Sequence, residues 1–268
     1  MNQKIFQVDA FTNEPFKGNP AGVCILDQAK DDDWMQSVAR EVNAAETAFL
    51  QRESNGEPHY NLRWFTPTVE VDLCGHATLA SAHILWELNQ EEPDSLLKFQ
   101  TRSGQLTAKR AGKWIELDFP VEAAEEESSY PSELRDGLGI EPLWTGRNRL
   151  DFIVEVENEQ VLRSLVPDMR MLSGLRSRGV IVTCASEDPK YDFVSRFFAP
   201  GAGVDEDPVT GSAHCCLAPF WKQRLGLDEM RGFQASQRGG EVRVRVEGDR
   251  VILGGQAITV FSGELLSA

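Results

Sequence analysis

The sequence lacks any run of 18 apolar residues, which excludes a transmembrane helix. It is also short of positive charge: 27 Lys and Arg stand against 42 Asp and Glu, a formal net charge of −15. A surface this acidic repels phosphate backbones, so nucleic acid is not an expected partner. A small anion remains compatible with it, because a local site can oppose the global sign. Histidine is scarce: His59, His76, His83 and His214 are scattered, with no His-Glu-x-x-His. The five cysteines, Cys24, Cys74, Cys184, Cys215 and Cys216, contain no Cys-x-x-Cys pair. Neither a structural nor a catalytic zinc site is therefore expected. The cysteine count is odd, and the opening MNQKIFQVDAF has neither a basic nor an apolar leader segment. Reduced thiols in the cytoplasm are the natural expectation. What is present is ordinary globular material, 268 residues of which 41% are hydrophobic and 26% charged. That length builds a core without disulfides or metal.

The chain repeats itself. Arg63-Trp64-Phe65-Thr66-Pro67 is followed by an acidic loop and Cys74-Gly75-His76-Ala77. Arg196-Phe197-Phe198-Ala199-Pro200 is followed by an acidic loop and Thr210-Gly211-Ser212-Ala213. The two arginines lie 133 positions apart and the two glycines 136, close to half of 268. Each unit reads strand, loop, helix. Tyr60–Phe65 alternates and ends at Pro67. The following HATLASAHILWEL is apolar on most faces, as a buried helix must be. In the second unit YDFVSRFF leads to SAHCCLAPFWKQRLG, where Pro219 predicts a kink or break.

The remainder is mostly strands, with surface helices predicted at Asp33–Val42 and Glu157–Leu165 and a solvated linker at Glu122–Glu133. The fold class is α+β: two similar lobes, each a curved sheet around a buried helix.

Buried helices that open on Gly-His-Ala and Gly-Ser-Ala have a chemical use. A helix N-terminus offers unpaired N–H groups and partial positive charge, which hold carboxylates and stabilise enolates without a basic side chain. Gly75, Ala77, Thr210 and Gly211 are the substrate-binding candidates on this ground. Taken singly, Ser212 reads equally as an N-cap and His76 as an exposed helix-start residue. Asp72 and the run Asp205-Glu206-Asp207 precede the helices, where acidic residues also serve as caps. Glu46 stands among small and apolar residues at a strand start, where taken alone it reads first as an exposed strand-start residue. Loss of solvation there predicts a pKa above about 4.3, suited to a general acid or base near neutral pH.

VDAFTNEPFKGNPAGVC, AAETAF, RWFTPTVEVDLCGHATLA and RFFAPGAGVDEDPVTGSAHC closely resemble, in order and over essentially the whole chain, the phenazine biosynthesis-like (PhzF-like) family. That family is related in fold to diaminopimelate epimerase. The resemblance implies two pseudo-symmetric lobes, each a barrel-like sheet around a central helix, with the active site in the cleft between them. It places the first lobe at 1–115 plus 258–268 and the second at 116–257. It also implies a homodimer and chemistry without metal or cofactor. Glu46 falls on the family's catalytic glutamate, His76 on its Gly-His histidine, and Asp207 and Ser212 on the Asp and Ser of Asp-Pro-x-Thr-Gly-Ser. In the family's characterised isomerase, which acts on trans-2,3-dihydro-3-hydroxyanthranilate, the glutamate moves a proton between ring carbons, while the other three position substrate or assist the transfer. The expected activity is thus isomerisation of a small carboxylated metabolite. The distant racemases use two opposed cysteines. Here those places are Cys74 and Thr210, and a hydroxyl is too weak an acid to mirror a thiolate. An epimerase, racemase or dehydratase using Cys74, with its pKa lowered at the helix start, and a non-catalytic metabolite-binding protein are the alternatives. Cys74, Cys215 and Cys216 also read simply as packing, and His214 is left open.

Overall fold

The computed structural model describes residues 3–53 and 57–266. They divide into two compact units, Met1–Phe119 with Leu253–Ala268, and Pro120–Ile252.

The first unit runs β1 (Gln3–Ala10), β2 (Asn19–Leu26), α1 (Asp32–Val42), β3 (Glu46–Arg52), β4 (His59–Phe65), β5 (Glu70–Val71), α2 (Gly75–Glu87), β6 (Leu97–Thr101), β7 (Gly104–Ala111) and β8 (Trp114–Pro120), and takes in the final strand Ala257–Leu265. β1 is antiparallel to both β2 and the final strand. β2 is parallel to β3, with α1 as the crossover. β3 and β4 are antiparallel, β4 is parallel to β6, and β6, β7 and β8 form an antiparallel meander. Helix α1 is amphipathic: Met35, Val38 and Ala39 pack on Cys24, Phe49 and Phe65. Asp31 caps it by accepting from the Trp34 N–H at 2.7 Å, and Asn43 ends it in the left-handed region at φ 53°. Helix α2 has no polar face. Ten of its residues, from His76 to Trp86, are buried against β1, β2, β3 and the final strand. Such a helix is stabilised by burial and not by its termini.

The second unit repeats this connectivity. After β9 (Glu125–Glu126), α3 (Ser132–Leu138) and β10 (Trp144–Arg147) come β11 (Asp151–Glu155), α4 (Glu159–Ser164), α5 (Met169–Leu172), β12 (Gly179–Ala185), β13 (Phe193–Ala199), β14 (Val204–Glu206), α6 (Gly211–Leu225), β15 (Glu229–Gln234), β16 (Gly240–Glu247) and β17 (Arg250–Gly255). β11 and β12 are parallel, β12 and β13 antiparallel, β13 parallel to β15, and β15 antiparallel to β16. This is the order of β2, β3, β4, β6 and β7. Phe152, Val154, Val182, Val194 and Phe198 build the core beneath the outer helices.

Two segments carry more regular structure than their sequences predict. The segment predicted as a solvated linker contains β9, which pairs with β10. Helix α6 passes through Pro219 without a break. A proline in a helix leaves the carbonyl four residues earlier without its donor. That carbonyl is Cys215 O, and the Glu122 N–H supplies the bond at 3.2 Å.

Candidate active site

Glu46 opens β3, and the parallel register sets it against Ala21 of β2. This brings the start of β2, where Asn19 lies fully buried, close to Glu46. Gly18 makes that entry possible. Its φ is 62°, and a Cβ there would meet the Ala10 carbonyl oxygen at 2.1 Å. Helix α2 starts beside them. Its N-cap, Cys74, is extended and makes no side-chain cap, and its first turn holds no acidic residue. The first-turn N–H groups are therefore left uncapped by protein carboxylates.

His76, on the first turn of α2, is the hub. Its Nε2 lies 3.0 Å from Glu46 Oε2, an ion pair and not an aligned hydrogen bond. Its Nδ1 lies 3.3 Å from the Asn19 amide and 3.5 Å from Cys74 Sγ. His76 is buried, so its reading as an exposed helix-start residue is wrong. Burial alone would push this imidazole down, but Cys74 and Glu46 outweigh it and hold His76 well above the usual range. The pKa expected for Glu46 also has the wrong sign. Burial does push the carboxyl up, but the facing His76 charge and the Cys74 thiol hold it below the ordinary value. Sequence could locate the apolar setting of Glu46 but not the cation against it. Cys74 goes the other way: burial and the Glu46 charge raise its thiol to about 11, so helix-start activation is overcome.

In the second unit, Asp207, Thr210, Gly211 and Ser212 come together at the start of α6. Thr210, not Ser212, is the N-cap, and it makes no side-chain cap. Its hydroxyl donates to Asp207 Oδ2 at 2.5 Å, so Asp207 braces the loop before the helix. Gln234 of β15 completes the brace. Its amide N–H groups donate to the Asp207 carbonyl at 2.7 Å and to Thr210 Oγ1 at 3.3 Å, and its oxygen accepts from the Thr210 N–H at 2.8 Å. His214 is structural. Its Nδ1 donates to the Thr210 carbonyl at 2.8 Å, and burial lowers it to about 4, so it is neutral. Thr78 makes the matching bond to the Cys74 carbonyl in the first unit, at 2.6 Å.

The repeat extends to side-chain chemistry. Arg63 holds Glu70 with two bonds of 2.7 and 2.6 Å, and Arg196 holds Glu206 with two of 2.8 and 3.0 Å. The repeat fails at the reactive group. Thr47 faces Phe65 across β3 and β4, and Val180 faces Phe198 across β12 and β13. The counterpart of Glu46 is therefore Gly179. A Cβ at Gly179 would come within 2.6 Å of the Phe197 ring and 2.7 Å of the Phe198 carbonyl oxygen, so no acid fits there. His76 corresponds in the same way to Ser212.

Sequence reasoning missed Asn19 and Gln234. Asn19 stands inside a quoted motif, in Gly-Asn-Pro before β2, and a buried amide ahead of a proline was the available signal. Gln234 gave none. Among the described residues, Glu46, Cys74 and His76 also form a donor set whose ligand atoms lie within 4.8 Å of one another. No helix of the described residues is long and apolar enough to cross a membrane.

Comparison with known proteins shows what the chain is similar to. A family model described as phenazine biosynthesis-like protein matches residues 8–263. An uncharacterized isomerase of Halalkalibacterium halodurans is 55% identical, with 99% of each chain covered. A crystal structure of a PhzF-family phenazine biosynthesis protein from Enterococcus faecalis superposes with a TM-score of 0.93 at 39% identity, covering 99% of both chains. A probable proline racemase from Agrobacterium radiobacter shares the fold alone, at a TM-score of 0.66 and 11% identity over 99% of this chain and 93% of that one.

Proposed function

The chain belongs to the phenazine biosynthesis-like protein family and is an isomerase, and we propose that it moves a proton between two carbons of a small carboxylated metabolite with Glu46 as the single acid and base. The observation that carries this reading is the lone Glu46–His76 pair. His76 is buried and Glu46 one-fifth exposed, the two are held 3.0 Å apart, and the pair has no counterpart where the repeat would place one, at Gly179.

The charges follow from the geometry. At rest Glu46 is a carboxylate and His76 an imidazolium. The carboxylate takes a proton from a carbon made acidic by a neighbouring carboxylate or carbonyl. His76 keeps its charge, so the negative charge that develops on the substrate forms beside a fixed cation in a water-poor setting. The now neutral Glu46 returns the proton to a second carbon on the same face. A carboxylate is a weak base for carbon, and the imidazolium offsets this by stabilising the anion and not by raising the base. The substrate carboxylate is held by the backbone N–H groups of Gly75 and Ala77 at the start of α2. Chemistry centred on Cys74 is disfavoured, because its thiol is buried and its pKa is raised.

One base on one face makes a stereochemical demand. A panel of small carboxylates and amino acids, including the dihydro-hydroxyanthranilate, is incubated in D₂O and followed by proton NMR and optical rotation. Deuterium entering at a new carbon with a positional shift is expected. Racemisation at one carbon without a shift would overturn the single-base mechanism, since inversion requires proton transfer on both faces.

A further inference from the structure

We propose that Glu46, Cys74 and His76 together form a binding site for a borderline-soft divalent cation, zinc above all, and that zinc is a reversible inhibitor of this enzyme. The donor set is one carboxylate oxygen, one sulfur and one imidazole nitrogen, which is what zinc selects over hard cations. The geometry fits. Zinc bonds of about 2.3 Å to sulfur and about 2.0–2.2 Å to nitrogen and oxygen place tetrahedral ligand atoms about 3.3–3.6 Å apart. Here Nε2 lies 3.0 Å from Oε2 and 3.9 Å from Sγ, and all three ligand atoms lie within 4.8 Å of one another, so side-chain adjustment draws them onto one ion. The other ring nitrogen, Nδ1, faces the buried Asn19 amide at 3.3 Å. With that amide turned, its oxygen accepts from Nδ1–H and fixes the tautomer that leaves Nε2 free to bind metal. Binding displaces the Cys74 thiol proton and the His76 Nε2 proton to solvent; one carboxylate and one thiolate then neutralise the dication, so the filled site carries no net charge into a buried location. Three protein ligands leave a fourth position for water. The Glu46 side chain is one-fifth exposed, so the donor set is not sealed from solvent.

The consequence is chemical. A cation bound here occupies the Glu46 oxygen and the His76 nitrogen on which proton transfer depends. The fold thus places a zinc-selective triad on top of a proton-transfer pair, with Cys74 as the residue that adds metal affinity without taking part in the reaction.

The test needs no substrate, so it stands or falls apart from the isomerase reading. Zinc binding is measured by calorimetry on the wild-type chain, and cobalt(II) is titrated as a spectroscopic probe. One ion per chain is expected, with intense visible bands of a four-coordinate cobalt centre and a thiolate-to-cobalt charge-transfer band in the near ultraviolet. Cys74→Ser should abolish the charge-transfer band, and Cys74→Ser, His76→Asn and Glu46→Gln should each weaken zinc binding at least about tenfold. His83→Ala should leave binding unchanged, although His83 lies 3.7 Å from Glu87 and offers an alternative His–carboxylate pair. Cobalt binding by the wild-type chain without a thiolate band would overturn the proposal whatever the variants do. So would zinc binding that survives both Cys74→Ser and His76→Asn.

Discussion

The brace that Gln234 makes across the entry to α6 allows a worked prediction. Gln234→Leu keeps the size of a fully buried side chain but removes every polar atom from it. Two backbone groups then lose their partners: the buried Thr210 N–H and the Asp207 carbonyl. A buried polar group left unmade costs about 1–3 kcal/mol. The N–H of Thr210, a buried residue, pays nearly the whole penalty. Asp207 is only half-buried, so its carbonyl can recruit water and sits at the low end. The Thr210 hydroxyl keeps its bond to Asp207 and contributes little to the loss. The total is about 2–4 kcal/mol. At a urea m-value of roughly 1–3 kcal/mol/M this moves the midpoint by roughly 0.7–4 M. Coincident fluorescence and circular dichroism transitions test whether a single free energy applies. Ser236→Ala is the control. It removes two bonds of a half-buried hydroxyl, one donated to the Pro208 carbonyl at 2.8 Å and one accepted from the Gly239 N–H at 3.1 Å, and should cost about 1–2 kcal/mol. A Gln234→Leu penalty below about 1 kcal/mol would refute the reasoning and mean that the loop is held by other contacts.

Other expectations follow from the same contacts. Gly179→Ala, with its Cβ forced against the Phe197 ring and the Phe198 carbonyl oxygen, should lose about 1–3 kcal/mol in thermal or urea unfolding; a neutral substitution would show that this position could have carried an acid. The Glu46–His76 pair has a defined pH window. Its carboxyl pKa is lowered by folding, so that stability is present above about 4.3 and lost as pH falls through the folded value. Its imidazole pKa is raised by folding, so that stability is present below about 6.5 and lost as pH rises through the folded value. Stability measured against pH should therefore be helped most between those limits, and Glu46→Gln should flatten the profile on both sides; an unchanged profile would mean the pair is not charged. Cys74, buried with its thiol raised to about 11, should resist iodoacetamide in the folded protein and react only in denaturant, as mass spectrometry of the alkylated peptide would show.

The repeat was legible because it rests on residues whose types are hard to replace. Arg63 and Arg196 each hold a carboxylate with a bidentate grip, and Gly75 and Gly211 each open a helix. The two buried helices were legible for a related reason: an apolar pattern on every face has few uses in a globular chain. Glu46, His76, Asp207 and Ser212 were named in advance, and the structure brings Glu46 to His76 and Asp207 to the entry of α6. What could not be read is what depends on partners distant in sequence. The sign of the Glu46 shift is set by an imidazole thirty positions away. The continuity of α6 through Pro219 is set by a Glu122 N–H nearly a hundred positions before it. The role of Gln234 is set by a parallel register in which it lies beside Ser195. The N-cap that Ser212 offers by residue type is taken instead by Thr210.

The central claim is that one carboxylate carries the proton. Its most direct test is the rate of carbon-bound proton exchange in D₂O, on whichever panel compound reacts, for the wild type, Glu46→Gln and Cys74→Ala. The account predicts a fall of about 10²–10⁴-fold for Glu46→Gln and a loss well short of about 10²-fold for Cys74→Ala. Exchange that persists in Glu46→Gln and disappears in Cys74→Ala would contradict it and assign the chemistry to the thiol.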